Sequence, residues 1–327
     1  MIIKISTCQI EKLKATSDTN EYLKIKDRFI YAHCRAADYE LWTSDEYFAL
    51  TDEEFIKKNE SLQNGARFGC TAMRIIDEYT IVKSGYGRIL YINMRNKELL
   101  RQVQMPYTTA IDFDIYEDKD LIFIFDGDVY IYDYESDSIK KQENITIKEF
   151  ISSHEDSART FRRLVYSKKH NILLYQGIES SKDIYSQRKV FAINLTTNRI
   201  IELGLGFRVQ NDEYGELYYS YKNIIYKYYP EENKGRKFFT HKKTIFEYDD
   251  TIVDFRILDD AIFVFFEGAP NFKGIRSEKL VIYTDKKRIK IDFIIFTDNG
   301  RAKEKRYPFF EVEMDIGRRN KNKTKCE

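Results

Sequence analysis

The chain has 327 residues, of which 43% are hydrophobic and 33% are charged. Lys and Arg together number 54 and Asp and Glu number 53, so the formal net charge is only +1. This balance excludes a globally basic nucleic-acid-binding protein and an acidic, solvating chain, and the hydrophobic fraction is enough for a sizeable core.

The residue types favour strands over helices. Tyr and Phe occur 25 and 23 times, whereas Gly occurs 14 times and Pro only 4 times. Aromatic and β-branched residues fit the pleated, half-buried surface of a sheet. The composition therefore predicts a mainly β protein.

Signals for export or membrane insertion are lacking in the sequence. Lys4 interrupts the apolar stretch at the N-terminus, so a secretory signal is not expected, and no window reaches the roughly 18 apolar residues of a membrane span. The four cysteines are far apart and form no CxxC pair: Cys8, Cys34, Cys70 and Cys326. We expect an intracellular protein with reduced thiols, in the cytoplasm or the nucleus and away from membranes.

The clearest strand pattern lies in the middle of the chain. Two apolar runs, residues 121–125 and 129–134, flank an Asp-Gly turn at 126–128, which is a strong hairpin signal. Upstream, residues 110–115 alternate with period two, and downstream another extended stretch begins at Ile139. These runs predict four consecutive antiparallel strands joined by short turns.

The same four-stranded unit recurs along the chain. Six copies can be recognised by third strands that begin near residues 40, 89, 129, 190, 224 and 280. Their mean spacing of about 48 residues agrees with the period of about 40–50 residues of propeller blades. The repeat therefore predicts an all-β fold, a β-propeller of four-stranded antiparallel blades.

The third strand of this unit resembles that of a WD-repeat blade. The run from Asp126 to Asp133, Asp-Gly-Asp-Val-Tyr-Ile-Tyr-Asp, places Tyr132-Asp133 where the Trp-Asp dipeptide falls in that family, and the run from Ser84 to Asn93 is similar. The resemblance covers residues 21–297 and is that of a divergent WD-repeat-like propeller. It implies a repeat protein that serves as a scaffold for protein binding.

The number of blades depends on the chain ends. Strand patterns at residues 2–5 and 310–316 would together supply a seventh blade that closes the ring, so seven blades are favoured and six are the alternative. A single propeller domain is expected over residues 1–317, closed by these terminal strands. Residues 318–327 form a basic tail that we expect to be disordered.

The elaborations of the blades are expected on one face. Capping boxes at residues 51–54 and 146–149 predict one or two short inserted helices between blades, and residues 177–188 and 267–278 form long loops between second and third strands. In an antiparallel meander these connections share a face, while the opposite face carries short turns. Long loops on a rigid scaffold are where binding usually occurs.

Candidate partner-binding residues follow from these loops. Each of the two long loops offers an aromatic residue with an Arg nearby, the composition of an interface hot spot, and a cluster of arginines precedes the fourth unit. The predicted contact residues are Tyr185, Arg188, Phe272, Lys273, Arg276, Arg159, Arg162 and Arg163.

The sequence contains only weak catalytic and metal-binding patterns. The four histidines form no HxH, HExxH or HxxxH pair, and no glycine-rich dinucleotide loop is present. Asp112 and Asp114 lie on a first strand, which lines a propeller channel, and are compatible with an acid–base pair. The same spacing arises on any half-exposed strand, so no catalytic residue, metal ligand or cofactor is predicted.

Three kinds of function remain open from the sequence. A non-catalytic scaffold that binds a protein partner through the loop-rich face is favoured. The alternatives are an enzyme or small-ligand binder that uses the central channel, and a ribonucleoprotein component that binds nucleic acid through the tail at 318–327.

Overall fold

The structure is a computed structural model that describes fourteen segments of the chain. These are residues 19–25, 28–35, 38–43, 46–59, 72–85, 87–105, 112–148, 164–178, 188–241, 252–258, 261–267, 276–283, 287–295 and 306–314. No helix in these segments is long and apolar enough to cross a membrane.

The chain divides into two compact units, and the first, residues 17–205, contains four sheets. The first sheet consists of β1 (Thr19–Ile25), β2 (Arg28–Arg35), β3 (Asp38–Trp42) and β4 (Tyr47–Thr51). The second consists of β5 (Ala72–Ile75), β6 (Thr80–Gly85), β7 (Arg88–Asn93) and β8 (Glu98–Gln104). The third consists of β9 (Phe113–Ile115), β10 (Leu121–Phe125), β11 (Asp128–Asp133) and β12 (Ser138–Thr146). The fourth consists of β13 (Leu164–Ser167), β14 (Ile172–Ile178), β15 (Arg188–Asn194) and β16 (Arg199–Leu205).

The second unit includes the chain from Gly206 onwards and contains two sheets. The fifth sheet consists of β17 (Arg208–Asn211), β18 (Leu217–Tyr221), β19 (Ile224–Tyr229) and β20 (Lys234–Thr240). The sixth consists of β21 (Ile252–Leu258), β22 (Ala261–Glu267), β23 (Arg276–Tyr283), β24 (Lys287–Ile295) and β25 (Arg306–Met314).

Every sheet is an antiparallel meander in sequence order, as propeller blades are. In the first unit β1 lies beside β5, β5 beside β9 and β9 beside β13, and in the second unit β17 lies beside β21. Within each unit the first strands of successive sheets are thus neighbours, as they are along the inner side of a propeller. The all-β, blade-type fold is confirmed, and the six predicted third strands coincide with β3, β7, β11, β15, β19 and β23.

The apolar runs reflect burial on both faces of a sheet. In β10, Leu121 and Phe123 pack towards the second sheet, whereas Ile122 and Ile124 pack towards the fourth. Because neighbouring sheets cover both faces, the inner strands do not alternate between apolar and polar residues. The described core therefore lies between consecutive sheets.

In the second, third, fourth and fifth sheets the turns between third and fourth strands share one local conformation. Each spans four residues, at 94–97, 134–137, 195–198 and 230–233, and the last residue has a positive φ between 50° and 56°. Asn93, Asp133 and Asn194, at the ends of their third strands, accept hydrogen bonds from turn N–H groups at 2.9–3.0 Å. The aspartate at the WD-like position thus stabilises the turn, since Asx side chains satisfy turn backbone in this way.

The predicted Asp-Gly hairpin is present. Asp126 and Gly127 have φ values of 46° and 74°, so both occupy the left-handed region that two-residue hairpins require. A Cβ at Gly127 would lie 2.6 Å from the Lys148 side chain and 2.9 Å from its backbone nitrogen. Only glycine therefore fits where the chain after β12 crosses the hairpin.

One inserted helix is described, α1 (Asp52–Lys58). Its predicted capping box is confirmed: Thr51 Oγ1 accepts from Glu54 N at 3.1 Å, and the Glu54 carboxylate accepts from Thr51 N at 3.2 Å. At the second predicted box, Thr146 is instead the last residue of β12 and donates its hydroxyl to the Gly127 carbonyl. The rest of that box, from residue 149, lies outside the described residues.

The expected seventh blade does not include the C-terminal strand. β25 pairs with β24 and is the fifth strand of the sixth sheet. The predicted N-terminal strand at residues 2–5 lies outside the described residues. The described residues form six sheets, the number of the alternative prediction. A single domain over residues 1–317 stays a prediction.

Candidate functional site

The two ends of each sheet differ in their connections. At the end that we call the turn end, the described turns from first to second and from third to fourth strands have at most five residues. At the opposite end, the loop end, second and third strands are joined and the chain passes to the next sheet. The longer connections all belong to the loop end: residues 52–71, 105–112, 147–163, 179–187, 241–251 and 268–275. This agrees with the predicted asymmetry of the two faces.

The predicted contact residues are only partly described. Arg188 begins β15 and is buried, with 5% of its surface exposed, and Arg276 begins β23. The other predicted residues lie outside the described residues: Tyr185, Phe272, Lys273, Arg159, Arg162 and Arg163. Two strand starts thus carry the predicted arginines at the ends of the two long loops. The contact role of the whole set stays a prediction.

The loop end of the third sheet holds a compact charge cluster that the sequence did not reveal. Asp128 Oδ2 accepts from Lys141 Nζ at 2.8 Å and lies 3.0 Å from Lys148 Nζ, and Asp126 is 3.4 Å from Lys148. Burial opposes ionisation of Asp128, but hydrogen bonds from Lys141 and Lys148 outweigh it and hold its pKa below the usual value. The same bonds raise the pKa of both lysines. Two half-exposed ammonium groups are thereby fixed in place.

The loop end of the fourth sheet exposes an apolar group beside an ion pair. Lys189 Nζ lies 3.1 Å from Glu202 Oε1, and Lys189 is directly opposite Leu205 in the β15–β16 register. Leu205 is 40% exposed. No spacing rule distinguishes these residues from those of an ordinary outer strand, so the sequence alone does not identify them. Together with the Asp128 cluster they mark the loop ends of two neighbouring sheets.

The inner strands of the second, third and fourth sheets are linked by Arg74 of β5. Its Nε is 2.9 Å from Asp114 Oδ1 and its Nη2 is 3.0 Å from Asp112 Oδ1. The guanidinium also donates to the carbonyl oxygens of Met73 at 2.7 Å and Leu164 at 3.3 Å. A buried arginine is stable when its donors are paired in this way.

The two carboxylates are also bound from their other side. Asp112 Oδ2 accepts from Leu164 N at 3.0 Å, and Asp114 Oδ2 accepts from Tyr166 N at 2.8 Å, both on β13. Each carboxylate therefore bridges an arginine and the backbone of the next sheet. This geometry serves the packing of the inner strands, and nothing in it favours the acid–base pair that the sequence left open.

A second buried cation, Lys83 of β6, lies between the first and second sheets. Its ammonium donates to the Tyr39 hydroxyl, sits 3.9 Å from the centre of the Tyr39 ring, and is 3.8 Å from Asp52 Oδ1 at the start of α1. Full burial lowers the pKa of Lys83 to about 7, while the Asp52 carboxylate acts in the opposite direction. The side chain is completely inaccessible, which excludes it as a surface nucleophile.

Histidines and carboxylates do not form a metal centre among the described residues. His241 is buried and its Nδ1 is hydrogen-bonded to the Tyr283 hydroxyl, and His170 lies in the β13–β14 turn. In the described part of the chain no group of three His, Cys, Asp or Glu side chains is arranged to hold a metal ion.

Comparison with known proteins gives structural likenesses only. No protein-family model matches the sequence, and no curated protein matches it. The extracellular domain of the one-component system protein BT4673 from B. thetaiotaomicron is 9% identical with a TM-score of 0.46, covering 88% of this chain and 40% of that one. The WD40 β-propeller domain of Doa1 is 6% identical with a TM-score of 0.45, covering 75% of this chain and 74% of that one.

A third likeness is a chain of the Mitotic Checkpoint Complex. It is 11% identical with a TM-score of 0.47, covering 76% of this chain and 83% of that one. The likeness to BT4673 covers 40% of that chain, so this chain spans less than half of its length. The blade-type fold rests on this protein's own sheet topology and on the adjacency of its first strands.

Proposed function

We propose that the protein is a non-catalytic scaffold that binds a protein partner through the loop end of its sheets. The observation that supports this most is the division of the connections. Tight, internally hydrogen-bonded turns occupy one end, and the longer connections all lie at the other. Rigid sheets that carry long loops at one end are a common platform for recognition.

The charge pattern at the loop end fits a protein partner better than a nucleic acid. Lys141 and Lys148 are compensated by Asp126 and Asp128, and Lys189 is compensated by Glu202. Phosphate binding relies on uncompensated Lys and Arg, whereas protein interfaces combine paired polar groups with exposed apolar area such as Leu205.

Within this proposal the loop aromatics Tyr185 and Phe272 are the energetic centres. Arg276 and Lys273 accompany Phe272, and Arg159, Arg162 and Arg163 would contact acidic groups of the partner. Arg188 also belongs to the proposed set and is buried at the start of β15, directly after the 179–187 loop in sequence.

The test begins with an affinity pull-down of the full chain, analysed by mass spectrometry with and without nuclease. A nuclease-resistant, stoichiometric protein supports the proposal. Recovery that depends on nucleic acid would favour the basic tail at 318–327 instead, and the absence of any partner would favour a small ligand in the channel.

Affinity measurements with the recovered partner then locate the site. Tyr185→Ala and Phe272→Ala should each weaken binding by about 1–3 kcal/mol, because truncated interface aromatics are typical hot spots. Tyr214→Ala is the matched control, since Tyr214 is 66% exposed in the β17–β18 turn at the turn end. Equal losses at the two ends, or none at either, would contradict the proposal.

A further inference from the structure

The sixth sheet differs from the other described sheets in having a fifth strand. β25 pairs antiparallel with the outer side of β24 over nine residues, from Lys287 opposite Met314 to Ile295 opposite Arg306. The connection between them, residues 296–305, is much longer than a hairpin turn requires. The fifth strand is therefore an addition to a complete four-stranded blade.

The outer strands of the other sheets are poor templates for such an addition. The pairing of third with fourth strand is interrupted by register shifts in the second, third, fourth and fifth sheets. In the first sheet, β4 has five residues and leads directly into α1. Bulges and short length are the usual ways to protect a sheet edge. β24 is nine residues long and pairs with β23 without a shift, so its edge is regular.

The register between β24 and β25 combines charge with apolarity. Arg288 is opposite Glu313 and Lys290 is opposite Glu311, while the alternating positions place Ile289 opposite Val312. Directly opposed residues of opposite charge stabilise antiparallel pairing, and the alternation specifies the register. From Arg288 to Ile291 the edge of β24 thus fits an extended segment in which acidic and apolar residues alternate, and from Asp292 to Ile294 it is opposite Phe309, Pro308 and Tyr307.

We propose that the outer edge of β24 is a strand-addition site for a partner protein, closed by the chain's own C-terminal strand. The occupant is an extended segment of the partner in which acidic and apolar residues alternate, bound antiparallel to β24 in place of β25. Main-chain hydrogen bonds would supply affinity, and Arg288 and Lys290 would supply selectivity.

A tethered strand is a strong competitor. β25 is tethered to β24 by residues 296–305 and acts at an effective concentration on the order of millimolar. A free segment at micromolar concentration therefore displaces it only when β25 is weakened or when the partner also binds elsewhere on the chain. The experiment therefore compares a chain that has the wild-type β25 with a chain in which β25 is weakened.

The test measures binding of a fluorescent peptide with the sequence of residues 306–314 to the full chain, by anisotropy. The double variant Glu311→Lys/Glu313→Lys weakens β25 by placing like charges opposite Arg288 and Lys290. We expect it to bind the peptide about tenfold or more tightly than the wild-type chain does. A peptide with the same two changes should bind neither chain.

Two further measurements test whether the variant is folded and whether it forms a dimer. Circular dichroism and a melting curve establish that the double variant is folded, and Glu311→Gln/Glu313→Gln, which removes charge without reversing it, replaces it if it is not. Equal affinity of folded variant and wild-type chain for the peptide would overturn the proposal. So would a dimer in size-exclusion chromatography that forms by exchange of β25, because the occupant would then be a second copy.

Discussion

Two buried cations of the first unit, Arg74 and Lys83, differ in their ion pairing. Arg74 lies among the inner strands of the second, third and fourth sheets, and Lys83 lies between the first and second. Arg74 has two carboxylate oxygens within 3.0 Å and two backbone carbonyls as acceptors. Lys83 contacts the Asp52 carboxylate at the longer distance of 3.8 Å and the hydroxyl and ring of Tyr39.

The difference illustrates how the geometry of ion pairing affects a buried charge. The planar guanidinium of Arg74 matches Asp112 and Asp114 at once and remains charged in proteins. The ammonium of Lys83 is desolvated with less compensation, so burial lowers its pKa to about 7. The junction around Arg74 should therefore be sensitive to mutation, and the junction around Lys83 sensitive to pH.

The largest expected effect is that of Arg74→Met. Removal of the guanidinium takes this cation away from the buried Asp114 and the partly buried Asp112, although the β13 amides remain. Breaking a buried ion pair in this way costs about 3–5 kcal/mol. Urea unfolding followed by circular dichroism measures the change in the free energy of unfolding.

The triple variant Arg74→Met/Asp112→Asn/Asp114→Asn is the matched control. Its neutral amides still accept from Leu164 N and Tyr166 N, so it should be more stable than Arg74→Met alone. A triple variant less stable than the single one would mean that the network does not act as a unit.

Lys83→Met tests the pH side of the comparison. The unfolded chain binds this proton up to about pH 10.5, whereas the folded chain releases it near pH 7, so between these values the unfolded state holds more protons. The stability of the wild type should therefore rise relative to Lys83→Met between pH 7 and 10, by on the order of 3 kcal/mol. Denaturant titrations of both proteins across this range give the difference, and a constant difference would contradict the pKa of Lys83.

Arg74→Lys tests whether a lysine at the Arg74 position titrates in the way that Lys83 does. A single ammonium cannot bind both carboxylates and the Leu164 carbonyl in the manner of the guanidinium, so the variant should lose about 2 kcal/mol. If burial without full pairing is what lowers the pKa of Lys83, the new lysine should add a second rise of stability with pH. Arg74→Met, which cannot titrate, is the control for that rise.

Much of the fold could be predicted because it is locally encoded. The Asp126-Gly127 turn, the Thr51–Glu54 box and the regular recurrence of third strands depend on neighbours within a few residues. The asymmetry of the two ends followed from the lengths of the connections. Such features require no knowledge of which strands meet in space.

The candidate site was less predictable because its partners are distant in sequence. Arg74 is 38 residues from Asp112 and 90 from Leu164, so the sequence alone did not reveal the ion pair that Asp112 and Asp114 form with it. Lys83, within the buried run of β6, carried no sign of its partner Asp52. β25 was recognised as a strand, but no local pattern identified β24 as its neighbour.

The smallest effect expected is that of Thr51→Ala, which acts on the Lys83 junction through α1. The hydroxyl of Thr51 accepts from Glu54 N, and loss of such an N-cap costs about 1 kcal/mol. Asp52 is the first residue of this helix, so fraying should withdraw its carboxylate from Lys83 and lower the pKa of Lys83 further. The rise of stability with pH should then begin at a lower pH than in the wild type. Thr51→Ser retains the cap and should behave as the wild type does in the same titration. Identical curves for the Ala and Ser variants would contradict the prediction, because the helix cap would then have no effect on the pKa of Lys83.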